Sequence, residues 1–407
     1  MALAAIAVPL LGWIAWTLVL RLGSNDFHDY WLAGRLVLDG RSPYDIGALR
    51  DLAAQQHLSL EVGGGYSYPL PFALAMVPLA ALPFEVALVI FNAASLAAFG
   101  LTVAAWIMWA YGRSPDRSRR RLALALGAGL YPPVYGTVVN GQANLVVLPL
   151  LAVGAVLALD GADARRRLGG GLLLGLAAVV KLVPAVLIVP LALARRFGAA
   201  AGVVAGGLGA LAIAVAIAPW AAAGSGGLAS NLDPDPYYTN QSINGFVTRL
   251  VQPTSRTSAL FPQAFEPRPA MIVLTAFLAA ATALVLWHYR ATLATRRGAA
   301  IGIGLALVAG VAGAPKDSFW NESLTLVAVG LLLAVDAPDL ALSRFGRIDR
   351  GLLAGWFGGA VLWAGVWAVE PVGGGPTAGL VNLLWSSSLF GLFALWLLFA
   401  RRLRRPC

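Results

Sequence analysis

Asp26, His28 and Asp29 stand within four residues of one another in the polar stretch 24–45, SNDFHDYWLAGRLVLDGRSPYD, which follows the first apolar run of the chain. A carboxylate or imidazole within hydrogen-bond reach of a hydroxyl can take its proton as a new bond forms, so each of the three is a candidate general base. Their spacing alone does not choose among them. Asp26 has a competing role, because an Asp between an apolar run and a helical pattern is a favoured helix cap. Two acids and one histidine in four residues fit metal-ligand spacing poorly, and the chain has only three histidines, so no metal is expected.

The cations divide in the same way between chemistry and scaffold. Lys181 lies inside the apolar run AVVKLVPAV, where a charge marks a functional site unless its long stem carries it to an interface. Arg249, after NQSINGFVT, and Lys316, in APKDSFWNES, are flanked by polar residues. Either suits a phosphate, and either suits a solvated surface. Asn240, Gln241, Asn321 and Glu322 add hydrogen-bonding groups suited to a polyhydroxylated ligand.

These residues have to be positioned by membrane helices. The chain has 407 residues, 59% of them hydrophobic and 12% charged, with a mean hydropathy of +0.76. Soluble proteins are about half apolar and a quarter charged, so this composition describes an all-α polytopic membrane protein. Apolar runs, each near the roughly 20 residues that a span requires, recur along the whole chain. They fall at 3–20, 84–111, 122–139, 144–159, 202–220, 270–288, 299–313, 320–334, 351–370 and 379–400. The first exceeds the apolar core of a secretory signal and has no cleavage pattern, so it is expected to remain as a span.

Two stretches depart from a simple crossing. Four prolines in 66–83 argue against a continuous helix and for an interfacial or re-entrant piece. The run 169–194 has arginines at both ends and Lys181 and Pro184 in its middle, which predicts two half-spans turning at the lysine, an arrangement tolerated where it lines a cavity. LAGRLVLDG has the period of a short helix on the membrane surface. About twelve membrane segments result, in a single domain spanning 1–407.

The formal charge of +10 does not point to nucleic acid, since 20 of the 29 Lys and Arg residues sit in six short clusters between apolar runs. The positive-inside rule places 113–121, 165–167, 195–196, 290–297, 344–350 and 401–405 in the cytoplasm, with both termini. Segments 22–68, 140–144, 221–269, 314–319 and 371–378 then face outward and carry the unusual chemistry, with 22–68 and 221–269 as the active-site face. GGGPTAG (373–379) lacks the Lys-Ser/Thr of a phosphate loop and reads as a turn. A lone Cys407 excludes an intrachain disulfide and a cysteine metal site.

Five stretches in order resemble the polyprenyl-phosphate-mannose-dependent mannosyltransferases of glycosyltransferase family 87: DFHDYWLAGRLVLDGRSPYD; YSYPLPFALAMVPLAALP; YPPVYGTVVNGQANLVVLPLL, with its Gly-Gln corner; GLLLGLAAVVKLVPAVLIVPLALARR, with Lys-x-x-Pro; and NQSINGFVTRL. The resemblance implies a GT-C type of membrane fold with outward-facing interfacial helices and no cofactor. It also implies inverting transfer of mannose from a polyprenyl-phosphate-mannose donor to a glycolipid or lipoglycan acceptor on the extracytoplasmic face, in α-1,2 linkage. Asp26, four residues before Tyr30, matches the family's catalytic base. Lys181, helped by Arg249, would hold the donor phosphate. His28, Asp29, Tyr30, Gln142, Asn240, Gln241, Asn321 and Glu322 would contact acceptor or sugar. The loop GAPKDSFWNES departs from the family by lacking paired histidines, which leaves Asn321 or Glu322 in their place. A secondary transporter for a small polar or anionic solute is the alternative, since it too uses broken helices and a buried lysine.

Overall fold

A computed structural model describes residues 25–58, 65–111, 125–161, 163–222, 232–316, 319–337, 342–368 and 379–404. The expected span 3–20, the cluster 113–121, most of the GGGPTAG turn and Cys407 lie outside the described residues. Among those described, the regular secondary structure is helical, as the composition requires. In chain order the helices are α1 (Asn25–Leu38), α2 (Ile46–Gln55), α3 (Leu70–Ala80), α4 (Phe84–Tyr111), α5 (Pro132–Val139), α6 (Asn144–Asp160), α7 (Ala164–Val180) and α8 (Ile188–Leu193). There follow α9 (Phe197–Ile217), α10 (Ile243–Val251), α11 (Pro267–His288), α12 (Arg290–Leu293), α13 (Arg296–Ala312), α14 (Thr325–Asp336), α15 (Arg347–Ala368) and α16 (Ser387–Leu403).

Six stretches are long and apolar enough to cross a membrane among the described residues: Phe84–Trp109, Phe197–Ile217, Pro267–His288, Phe319–Asp336, Arg347–Ala368 and Asn382–Leu403. The expected count of about twelve is not tested as a whole, because the expected span 3–20 and the start of 122–139 lie outside the described residues, and two described runs fall short for identifiable reasons. At 17 residues each, α6 and α13 are about 26 Å long at 1.5 Å per residue, short of the roughly 30 Å hydrocarbon core. The run 169–194 is divided between α7, a 3-10 turn at Val183–Leu187 and α8. Large apolar side chains such as Leu208, Ile213, Phe277 and Leu284 are exposed on the long helices, the reverse of a water-soluble surface.

The break at Lys181 has a local cause. Pro184 has no N–H to give the carbonyl of Val180 and its ring would crowd that carbonyl, so the α-helix cannot pass through it. α7 ends at Val180, and Lys181 is extended with φ −132° and ψ 119°. At its other end Asp163 caps α7, accepting from the Arg166 amide at 2.8 Å. The proline-rich stretch 66–83 behaves differently from expectation, because Leu70–Ala80 is one continuous helix. Pro71 stands in its first turn, where no N–H is needed, and only Pro78 lies inside, near the end.

Two compact units emerge among the described residues, one from 25–105, 134–185 and 201–222, the other from 106–133, 186–200 and 232–404. In the first, α1 packs on α3, α6 on α7, and α7 on α9. The α7–α9 approach is backbone to backbone: a Cβ on Gly175 would collide with the Val203 carbonyl, and one on Gly202 with the Leu168 carbonyl. Aromatic rings fill the space between α1, α3 and the start of α4, with Phe27 4.9 Å from Phe91 and Tyr30 4.9 Å from Phe72 between centroids.

In the second unit α13 and α14 are buried along most of their length. A network of ions ties four helix ends together. Arg297 at the start of α13 and Arg402 near the end of α16 both pair with Asp336 at the end of α14, while Arg401 and Arg402 pair with Asp349 at the start of α15. Both aspartates are buried, so removing one would leave its arginines uncompensated, a loss of about 3–5 kcal/mol.

Candidate active site

Helix α1 begins earlier than the amphipathic pattern predicts, at Asn25, and so carries Asp26, His28, Asp29 and Tyr30 on its first turns. Asp26 therefore lies inside the first turn rather than outside the helix as a cap. Its backbone amide donates to the Asn140 carbonyl at 3.0 Å, which fastens the start of α1 to the polar corner 140–144. That corner turns at Gly141, whose φ of +64° is costly for any residue with a Cβ. Asp26 and Tyr30 are four residues apart and share a helix face.

The same corner presents Gln142. Its Oε1 accepts from Lys181 Nζ at 3.3 Å and from Asn144 Nδ2 at 3.0 Å. Lys181 Nζ also donates to the Tyr68 hydroxyl at 2.9 Å and lies 4.9 Å above the Tyr68 ring. Tyr30, fully buried, donates to the same Tyr68 hydroxyl at 2.8 Å. Asp26, Tyr30, Tyr68, Gln142 and Lys181 thus belong to one polar neighbourhood of the first unit. The lysine is half-buried, and among the described residues no carboxylate lies within ion-pair distance of it.

The phenols here are held protonated. Burial pushes Tyr30 well above its usual range, and the charges of Tyr68 and Asp26 add to this. Burial also raises Tyr68, with Asp26 contributing, while the Lys181 ammonium opposes it. Tyr66 is raised well above its usual range by burial first, then by Tyr44, Tyr68 and Asp29. Asp26 acts electrostatically on Tyr30 and Tyr68, and Asp29 acts on Tyr66, so the two acids address different parts of the aromatic cluster. His28 is buried with its ring 4.9 Å from that of Phe84.

The second unit holds the remaining predicted residues. Arg249, in the last turn of α10, is 5% exposed. Its Nη1 donates to the carbonyls of Tyr237 and Asn240 at 2.9 and 2.7 Å, and Nη2 to Ser386 Oγ at 2.8 Å. Burial pulls its pKa down to about 9, against the charge of Asp235, and the guanidinium stays protonated at neutral pH. Beside it is a cavity of about 10 Å³, enough for one water and lined also by Asn382 and Ser386. Three of the arginine's five N–H groups are therefore committed to its surroundings.

Asn240 donates to the Asp235 carbonyl at 3.2 Å and accepts from Ser242 Oγ at 2.7 Å. Gln241, with no exposed surface, donates to the carbonyls of Tyr238 and Trp385 at 3.0 and 2.8 Å. Glu322 is fully buried and accepts from Ser388 Oγ at 2.6 Å and from the Tyr131 hydroxyl at 3.3 Å. Asn321, 8% exposed, has its Oδ1 without a partner among the described residues. Lys316 is exposed. No group of three or more metal-ligating residues occurs among the described residues.

Tyr68 is the residue that sequence reading passed over. In YSYPLP the prolines are the visible signal, and nothing in its spacing marks a tyrosine that meets Lys181, 113 residues away.

A model of glycosyltransferase family 87 matches residues 66–315, more than half of the chain. The chain belongs to glycosyltransferase family 87. It is therefore an all-helical membrane glycosyltransferase, which sets the transport alternative aside. No curated protein matches the chain. The stretch matched to family 87 contains Tyr68, Gln142, Lys181, Asn240, Gln241 and Arg249, while α1 with Asp26 precedes it and Asn321 and Glu322 follow it.

Proposed function

We propose that this family 87 glycosyltransferase moves mannose from a polyprenyl-phosphate-mannose donor to a glycolipid or lipoglycan acceptor on the extracytoplasmic face of the plasma membrane. It would invert the anomeric centre and form an α-1,2 linkage. The observation that carries the reading is the Lys181 ammonium, held by Tyr68 and Gln142 with no carboxylate paired to it among the described residues, in the neighbourhood on which Asp26 acts. A half-buried ammonium held by neutral partners favours an anionic ligand, and the leaving group of such a donor is a phosphate.

In the proposed reaction the acceptor oxygen attacks the anomeric carbon while Asp26 takes its proton. The bond from that carbon to the phosphate oxygen breaks, and its electron pair stays on the phosphate. Lys181 stabilises the charge that grows there, which is electrostatic catalysis by a preorganised group. Protein cations serve this step, so no metal or other cofactor is invoked. Asp29, Tyr30, His28 and Gln142 shape the sugar and acceptor side of the neighbourhood. Arg249, Asn240 and Gln241 are proposed to hold segment 237–249 in the conformation in which it meets substrate. The chain is taken to work as one integral domain with both termini cytoplasmic and loops 22–68 and 221–269 on the active face.

The test is incubation of the purified protein with labelled polyprenyl-phosphate-mannose and a panel of envelope glycolipids. Transfer of label to a glycolipid, in an α linkage, is expected. Transfer from a nucleotide sugar instead, with none from the lipid donor, would sink the proposal.

A further inference from the structure

We propose that the Tyr68 hydroxyl donates to an oxygen of the donor phosphate, making Tyr68 and Lys181 a two-point anion clamp; this rests on the functional reading above. A phenol has one O–H and two lone pairs. The Tyr68 oxygen accepts from the Tyr30 hydroxyl at 2.8 Å and from Lys181 Nζ at 2.9 Å, which uses both lone pairs. Its own proton has no acceptor among the described residues. Lys181 has three N–H donors, of which two are used, one on Tyr68 and one on Gln142 Oε1 at 3.3 Å.

Two uncommitted donors therefore sit on atoms 2.9 Å apart, one of them carrying a full positive charge. A pair of donors whose ammonium has no carboxylate within ion-pair distance among the described residues matches a ligand that brings acceptors and negative charge. Phosphate is such a ligand, whereas a sugar hydroxyl carries no charge to match the ammonium. Burial holds the phenol in its protonated, donating form across the neutral range. The clamp is fixed from behind. Tyr30 is fully buried and fastens the phenol oxygen, Asn144 Nδ2 fastens Gln142 Oε1 at 3.0 Å, and the Tyr68 backbone carbonyl accepts from the Tyr44 hydroxyl at 2.9 Å.

The experiment measures binding of polyprenyl phosphate to the detergent-purified full chain by calorimetry, with the uncharged polyprenol as control. Hydrogen bonds to charged groups contribute about 1.5–3 kcal/mol, so Tyr68→Phe should weaken polyprenyl phosphate binding by about tenfold to a hundredfold and leave polyprenol binding unchanged. Lys181→Gln should do the same. The double variant should lose less than the product of the two, because each donor is held by the other. Tyr30→Phe, which leaves the Tyr68 proton in place, should have a much smaller effect. Thermal melts identify any variant that merely fails to fold. Unchanged phosphate binding by Tyr68→Phe, with Lys181→Gln impaired, would remove the clamp and leave the functional reading standing. A wild-type protein that binds polyprenol and polyprenyl phosphate equally would overturn both.

Discussion

At the level of single residues, the reaction turns on whether Asp26 is a base or a helix-end residue. The two roles disturb different observables. Asp26→Asn keeps the size and hydrogen-bonding capacity of the side chain but cannot accept a proton. It should reduce transfer by about 10²–10⁴-fold with donor binding intact, whereas loss of a first-turn carboxylate that only meets the helix dipole would cost about 0.3–1 kcal/mol of stability. Rates and melting temperatures measured on the same preparation separate the two, and Asp29→Asn should lower the rate less. Full activity of Asp26→Asn would pass the role to Asp29. For Lys181 the expectation is that Ala lowers turnover strongly and Arg retains part of it, since a charge near phosphate matters more than its shape. Steady-state kinetics with the lipid donor check this, and an undiminished Lys181→Ala would return the lysine to the role of a snorkelling side chain. The sequence exposed Asp26, Lys181 and Gln142 because charged and polar groups stand out against apolar runs. It did not expose Tyr68, since tyrosine is common at membrane interfaces and its partners come from other segments.

At the level of elements, the structure rests on where helices can end and how closely they can approach. Pro184 ends α7 through the carbonyl of Val180, and this break was readable from one proline beside one lysine. The continuity of α3 was not readable, because four prolines look alike in sequence while only their positions within the turn decide whether a hydrogen bond is lost. The early start of α1 was hidden for a related reason, since Asp26 and Asp29 are acceptable in a first turn and mask the apolar period. The α7–α9 contact supplies a prediction. Gly175→Ala puts a methyl against the Val203 carbonyl and forces two backbones apart, so it should lower stability by about 1–3 kcal/mol. Thermal unfolding in detergent would register this as a lower midpoint, and an unchanged midpoint would mean that the helices separate freely.

For the whole molecule, the prediction concerns sidedness. Single cysteines introduced at the exposed positions Arg166 and Arg404 should be protected from a membrane-impermeant reagent in intact cells, and those at the exposed positions Arg41 and Tyr237 should be labelled. Labelling at 166 with none at 237 would invert the orientation and remove an extracytoplasmic active site. By itself the sequence determined the helical class, the membrane setting and the segments that bear the chemistry, because hydropathy and charge spacing are local properties imposed by the bilayer. Only the tertiary structure decided which polar groups are already engaged. It brought Asn140, Gln142 and Lys181 to α1 and Tyr68, and it committed Arg249, Asn240 and Gln241 to carbonyls of their own unit. The physical reason is that a hydrogen bond depends on where two chain segments meet in space. The pattern along the chain fixes which faces are apolar, but the partner of a buried donor is set by packing between residues as distant as Tyr68 and Lys181.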